Sequence, residues 1–428
     1  MTETATTIPA DQKPTLVKRF LNALGPGLVT GAADDDPSGI ATYSIAGAQT
    51  GISLLWMAWV SWPLMATIQM MCARIGMVTG KGLAGALSSK LPKWVLVVFC
   101  FALLAANTIN IAADLSGMAD AAELLSGVSS HLWVILFGVG ISAAIIRFRY
   151  HQIANVLKWL ALSLFAYIVT AFLIHPDWSV ITRQTFTISW PQDQDTWEMI
   201  VAILGTTISP YLFFWQAAQE VEEEKAMGRR MLVEREGATK DELLDRMMDV
   251  GTGTLLSNVV MFFIILTTAL TLHTHGITHI ETSKEAAEAL RPLAGNLATL
   301  LYTVGIVAVG LLAIPTLAGS AAYAFAETFD WSHGLDEKLK QARAFYLVIA
   351  GSVVLGIALN FLGINPIQAL LWSAIVNGVL APFLLVGILL VARDAIIMKG
   401  QRSTLLSTAM VTITTLLMFA AGVAMFVV

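Results

Sequence analysis

Three consecutive carboxylates, Asp34, Asp35 and Asp36, stand directly before Pro37 and Gly39 in the stretch AADDDPSG, residues 32–39. The stretch interrupts an apolar run that begins near Leu21 and resumes at Ile40. Pro37 lacks an amide hydrogen and clashes with a preceding helical turn, and Gly39 loosens the backbone, so a helix passing through is expected to break here. An ionised aspartate in hydrocarbon costs at least ~3 kcal/mol, so each of the three needs a cation, a donor or water. Carboxylates gathered at a helix break suit a cation site. The plainer reading is that they cap a re-entrant turn.

A second break has the same grammar. GTTISPYLFFWQAAQE, residues 205–220, interrupts an apolar segment with Gly205, Thr206, Thr207, Ser209 and Pro210. Gly31 and Gly205 precede Pro37 and Pro210 by six and five residues. Interrupted hydrophobic segments at matching positions of two halves point to a binding site at mid-membrane, where unwound carbonyls and half-helix ends coordinate cations. A simple proline kink would explain one such break, and a matched pair poorly. Further along, Asn107, Asn110 and Asp114 are spaced i, i+3 and i+7, which puts them on one helix face. Asn377 and Gly378 precede Pro382, an expected kink with an amide beside it that could equally well satisfy neighbouring backbone.

The elements that position these groups must be membrane helices. The 428 residues are 56% hydrophobic and 13% charged, with a mean hydropathy of +0.72, more apolar surface than a soluble chain could bury. Runs of about 20 apolar residues place eleven spans near 21–48, 52–78, 92–114, 131–147, 152–174, 196–219, 249–273, 296–326, 343–363, 366–391 and 404–427. Of the 25 Lys and Arg, only Arg183, Lys284 and Arg291 fall on the outer side of such a topology. The others gather in the N-terminal tail, in the connections 79–91, 148–151, 220–248, 327–342 and 392–403, or at the flanking helix ends. That bias puts the N-terminus in the cytoplasm and, with an odd number of spans, the C-terminus outside. No signal-peptide pattern precedes the first span, and residues 1–20 read as a short cytoplasmic tail. The mixed-sign insert 220–248 reads as an exposed helix. His273, His275 and His279 lack a carboxylate or cysteine to complete a metal set, and Cys72 and Cys100 lie in apolar runs as packing residues.

These motifs resemble the Nramp family of divalent-metal transporters. The likeness covers GPGLVTGAADDDPSGIATYS at 25–44, GTTISPY at 205–211, MMDVGTGTLLSNVVMFFII at 247–265, GLLAIPTLAGSAAYAFAETF at 310–329 and LAPFLL at 380–385. The resemblance implies an all-α integral membrane protein of the LeuT type. Its parts would be two inverted five-helix repeats, here 21–174 and 196–391, with broken first and sixth helices and an eleventh helix at 404–428. It further implies alternating access and a metal site between the breaks. The family's Asp-Pro-Gly-Asn matches Asp36-Pro37-Ser38-Gly39, so its aspartate survives and its asparagine ligand becomes Gly39. Its Ala-x-x-Met-Pro-His matches Thr206 to Tyr211: the carbonyl position stays as Thr206, the methionine becomes Ser209 and the histidine Tyr211. A second histidine matches Gln216, the family's Asp-x-x-Glu on the third helix matches Ile111 and Asp114, and a glutamine on the tenth matches Asn377.

The metal ligands expected on this basis are Asp36, Thr206, Ser209, Gly39, Asp35 and Asp34. Pro37, Pro210, Tyr211, Asn377, Asn107, Asn110 and Asp114 are expected around them. Methionine's soft thioether favours Mn²⁺ and Fe²⁺, whereas Ser209 offers hard oxygen and Mg²⁺ is held through a few carboxylates with waters retained. The departures resemble the Nramp-related magnesium transporters. The leading expectation is therefore a Mg²⁺ carrier without proton coupling, and the alternative a proton-coupled Mn²⁺/Fe²⁺ or broad-selectivity carrier. No resident cofactor, nucleic acid or enzymatic activity is expected, and no HExxH or GxSxG motif is present. The expected setting is the plasma (inner) membrane, with the divalent ion as substrate, the lipid bilayer as surroundings and a monomer as the unit.

Overall fold

The computed structural model describes residues 26–147, 162–191 and 193–427. Among them the secondary structure is helical throughout. The principal helices in chain order are α1 (Pro26–Asp34), α2 (Pro37–Thr50), α3 (Trp56–Thr79), α4 (Lys93–Ser126), α5 (Ser130–Arg147), α6 (Phe165–Leu173), α7 (Gln194–Thr207), α8 (Pro210–Ala226), α9 (Lys240–Thr271), α10 (Ala298–Thr328), α11 (Arg343–Leu359), α12 (Pro366–Ala392) and α13 (Leu405–Val427).

Eight helical stretches among the described residues are long and apolar enough to cross a membrane, and they occupy eight of the eleven expected spans. The others are the first, halved by its break into α1 and α2; the second, the 24-residue α3; and the fifth, only partly described, as α6. The tail 1–20 and the connection 148–151 lie outside the described residues. Bilayer-facing positions remain apolar and open, as at Leu347 and Phe426, which a lipid environment covers.

Both breaks form where sequence chemistry places them. A residue before proline is pushed out of the α region into extended backbone. Asp36 before Pro37 has φ −69° and ψ 170°, and Ser209 before Pro210 has φ −77° and ψ 130°. Each proline then occupies the first helical position of α2 or α8, where its missing amide costs nothing. Pro382, expected to kink the tenth span, stays inside the unbroken α12.

Close helix crossings seat the breaks. A Cβ on Gly31 would run into the Gly253 backbone of α9, and one on Gly205 into Ala374 and Gly378 of α12. Small residues at such crossings let helix backbones approach within a bilayer. The connections 79–91, 220–248 and 392–403 meet at one end of the molecule: Gly237 N donates to Val78 O, Ala238 pairs with Gln401, and Lys90 with Asp394.

One expectation fails at that end. The insert 220–248 is not simply an exposed helix, because α8 runs on to Ala226 and α9 begins at Lys240. Arg246 lies buried between them, salt-bridged to Glu220 (2.7 Å), Asp249 (2.6 Å) and Glu223. Asp249 in turn accepts the Gly27 amide of α1 at 2.7 Å. Helical charge spacing alone does not reveal that these charges satisfy one another inward. Removing one partner of such a buried set strands the rest, typically at 3–5 kcal/mol.

Candidate functional site

Asp36 is the carboxylate on which both breaks converge. Its Oδ1 accepts from the Gly39 amide at 2.7 Å and the Ser38 hydroxyl at 2.8 Å, capping α2. Its Oδ2 accepts from Asn110 Nδ2 of α4 at 3.0 Å, and the Tyr211 hydroxyl of α8 lies 3.4 Å away. That hydroxyl also donates to Ala33 O at 3.0 Å, so Tyr211 ties the sixth-span break to the end of α1. Asp36 is 1% exposed and has no basic partner among the described residues. A carboxylate buried this deeply, with neutral donors only, is costly to ionise unless a cation joins it.

Across from it, Thr206 sits at the end of α7. A Cβ on Gly39 would stand 3.1 Å from Thr206 Oγ1, so the two breaks touch. Glycine at 39 permits that approach. The Ser209 hydroxyl turns back to donate to Gly205 O and Thr206 O, both at 2.8 Å. A carbonyl keeps a second lone pair, so Thr206 O retains an acceptor for an ion, and Ser209 offers only the lone pairs of its own oxygen. Oδ1 of Asn110 and of Asn377 is buried without a hydrogen-bond partner. Orphaned acceptors such as these are what a cation would satisfy.

The other candidates divide. Asp34 and Asp35 both accept from Ser257 Oγ of α9, at 2.7 and 3.0 Å, and both lie within electrostatic reach of Asp36. Asn107 fastens α4 to α10 through Leu317 O at 2.8 Å and Ser320 Oγ at 2.9 Å. Asp114, on the same face, is fully buried and lies within electrostatic reach of Asp36. Gln216 Nε2 donates to Glu220 Oε1 at 2.7 Å. Of the histidines, His273 pairs with Ala48 O and His275 with Thr271 O. Among the described residues no three His, Cys, Asp or Glu side chains form a ready metal cage, so an ion here would rest in part on neutral oxygens.

Sequence reasoning missed Ser257. Its signal was available in a Ser-Asn pair inside an apolar run, with Asn258 in turn accepting from Ser61 Oγ of α3 at 2.8 Å.

The family profile described as "Natural resistance-associated macrophage protein-like", Nramp, matches residues 27–428. The chain is 26% identical over 400 residues to a protein named divalent metal cation transporter MntH from Caldanaerobacter subterraneus subsp. tengcongensis, covering 92% of this chain and 90% of that one. It is 28% identical over 312 residues to a protein of the same name from Yersinia pestis (strain Pestoides F), covering 71% and 73%. Among solved structures it resembles the Eremococcus coleocola manganese transporter in complex with an aromatic bis-isothiourea substituted compound, with a TM-score of 0.78 at 17% identity over 97% and 88% of the chains. It also resembles Mhp1, a nucleobase-cation-symport-1 family transporter, in a closed conformation, with a TM-score of 0.53 at 15% identity over 94% and 90%. At such identities the likeness concerns the fold, which is of the LeuT type.

Proposed function

The chain belongs to the Nramp family, and from that premise we propose that it carries divalent metal cations across a membrane by alternating access, holding the ion between its two helix breaks with Asp36 as the carboxylate ligand. Members of this family are transporters rather than enzymes. The observation that carries the reading is the convergence of both breaks on one buried carboxylate that lacks a basic partner among the described residues. Thr206 O, which keeps a free lone pair, and the Ser209 oxygen are the donors we assign to the second break. Asp34 and Asp35 hold a supporting position against α9. The two repeats are 21–174 and 196–391, followed by α13. The charge bias favours a cytoplasmic N-terminus and an outer C-terminus in the plasma membrane.

Manganese is the ion that the comparisons favour, since the curated relatives are named for divalent metal cations and one structural neighbour for manganese. A second reading, Mg²⁺ carried without proton coupling, has one specific local support. The site offers oxygen alone, with Ser209 and Gly39 in the places of a thioether and an amide, and Ile111 and Tyr211 in place of an acid and a histidine. Hard oxygen donors with room for retained water suit Mg²⁺.

Uptake into proteoliposomes separates these readings and tests their shared premise. Saturable Mn²⁺ entry, lost in Asp36→Asn, is the expected result, with Mg²⁺ measured in parallel and a pH dye inside the vesicles reporting proton movement. Asn keeps the size of the side chain and removes its charge. Wild-type uptake by that variant would overturn the midplane site.

A further inference from the structure

At the end of the molecule where the connections 79–91, 220–248 and 392–403 meet, α12 and α13 flank an open groove of about 730 Å³. Its apolar wall is the stripe Val386, Leu389 and Leu390, spaced i, i+3 and i+4 along α12, and the same stripe ends at Arg393 one turn later. Thr408 and Thr412 form the α13 side, and Arg402 and Lys90 stand with Arg393 at the mouth. The mouth is preformed. Arg74 Nη1 donates to Arg402 O at 3.1 Å, Gln401 exchanges hydrogen bonds with Ala238, and Ser403 N returns to Ala392 O at 3.1 Å.

The charges at the mouth do not cancel. Asp394 is the acid lining it, and its carboxylate is already spent: Lys90 Nζ donates to Oδ2 at 2.7 Å, and the Ile396 and Ile397 amides to Oδ1 at 2.9 and 3.1 Å. The Lys90 hydrogen bond, with those amides, holds the Asp394 carboxyl down at about 2, so it stays ionised and bound to its own partners. Arg393 and Arg402 are exposed and have no carboxylate in ion-pair distance among the described residues. Two free guanidinium groups thus sit over an apolar groove that runs from the helix ends toward the bilayer interior.

We infer that this groove is a binding site for an anionic phospholipid, with the headgroup phosphate on Arg393 and Arg402 and an acyl chain along Val386, Leu389 and Leu390. A guanidinium meets phosphate oxygens in a bidentate fork, which an ammonium cannot do. Basic pockets between membrane helices are suited to anionic headgroups, and the apolar stripe supplies what a soluble phosphate could not use. A zwitterionic lipid would fill the groove equally well, yet bring no net charge to the two arginines.

The full chain purified in detergent and titrated with lipid under native mass spectrometry tests this. At least a tenfold preference for phosphatidylglycerol over phosphatidylcholine is expected, falling to less than twofold when Arg393→Gln and Arg402→Gln are combined. Thr412→Trp, which obstructs the groove and leaves both arginines, is expected to weaken phosphatidylglycerol retention by a similar factor and guards against a misfolded double variant. Equal retention of the two lipids, an unchanged preference in the double variant, or unchanged phosphatidylglycerol retention in Thr412→Trp overturns the site. Displacement of the lipid by millimolar glycerol phosphate would mark a soluble-anion site instead, and overturns it as well.

Discussion

The two breaks share a proline and an extended residue before it, yet their side chains face opposite ways. At the first, Asp36 accepts the Gly39 amide and so serves the helix that follows. At the second, Ser209 donates to Gly205 O and Thr206 O and so serves the helix that precedes, leaving the start of α8 without a side-chain cap. One break therefore contributes a full negative charge, and the other the carbonyl end of a helix, whose partial negative charge also favours a cation. A single buried carboxylate with dipoles opposite it demands less desolvation of like charges than three carboxylates gathered on one ion. On the proposal that the ion sits between the breaks, the difference assigns binding strength to the first and choice of ion to the second.

That division can be broken at four places. The largest effect belongs to Asp36→Ala, for which vesicle uptake should fall at least 100-fold, equivalent to about 2.7 kcal/mol. Ser209→Met comes next. It introduces a thioether and releases the two carbonyls that Ser209 holds, and should raise the Mn²⁺ to Mg²⁺ affinity ratio about tenfold, or about 1.4 kcal/mol, by calorimetry. An unchanged ratio in the folded variant would remove the second break from selectivity. Adding Gly39→Asn is a less clean test, since any side chain at 39 must displace Thr206 Oγ1. Tyr211→Phe removes the donor to Ala33 O and should weaken metal binding about fivefold, in line with a net hydrogen bond of about 1 kcal/mol. Smallest of all, Asp34→Asn and Asp35→Asn should each change metal affinity less than about threefold, because these carboxylates answer to Ser257. A loss as large as that of Asp36→Ala would make all three carboxylates one site.

Much of this was legible in the residues themselves. Proline with a preceding polar residue locates both breaks, because the steric rule is local. The i, i+3, i+7 stripe on the third span identifies the right helix face, but not that Asn110 turns to Asp36 while Asn107 turns to α10. Three adjacent aspartates read as one cluster in the sequence. They stay within electrostatic reach of one another, and Ser257, over 200 positions away, donates to two of them, a contact no local pattern reveals. Arg246 shows the same limit: its charge pattern suits a solvated helix, and only the approach of α8, α9 and α1 turns the pattern inward.

Locating the ion directly decides most. Crystals of the full chain soaked in Mn²⁺, measured at a wavelength where manganese scatters anomalously, should show one peak in coordination distance of the Asp36 carboxylate and the Thr206 carbonyl. A peak lodged instead between Asp34, Asp35 and Ser257, with none at Asp36, would contradict the assignment of the site to the meeting of the two breaks.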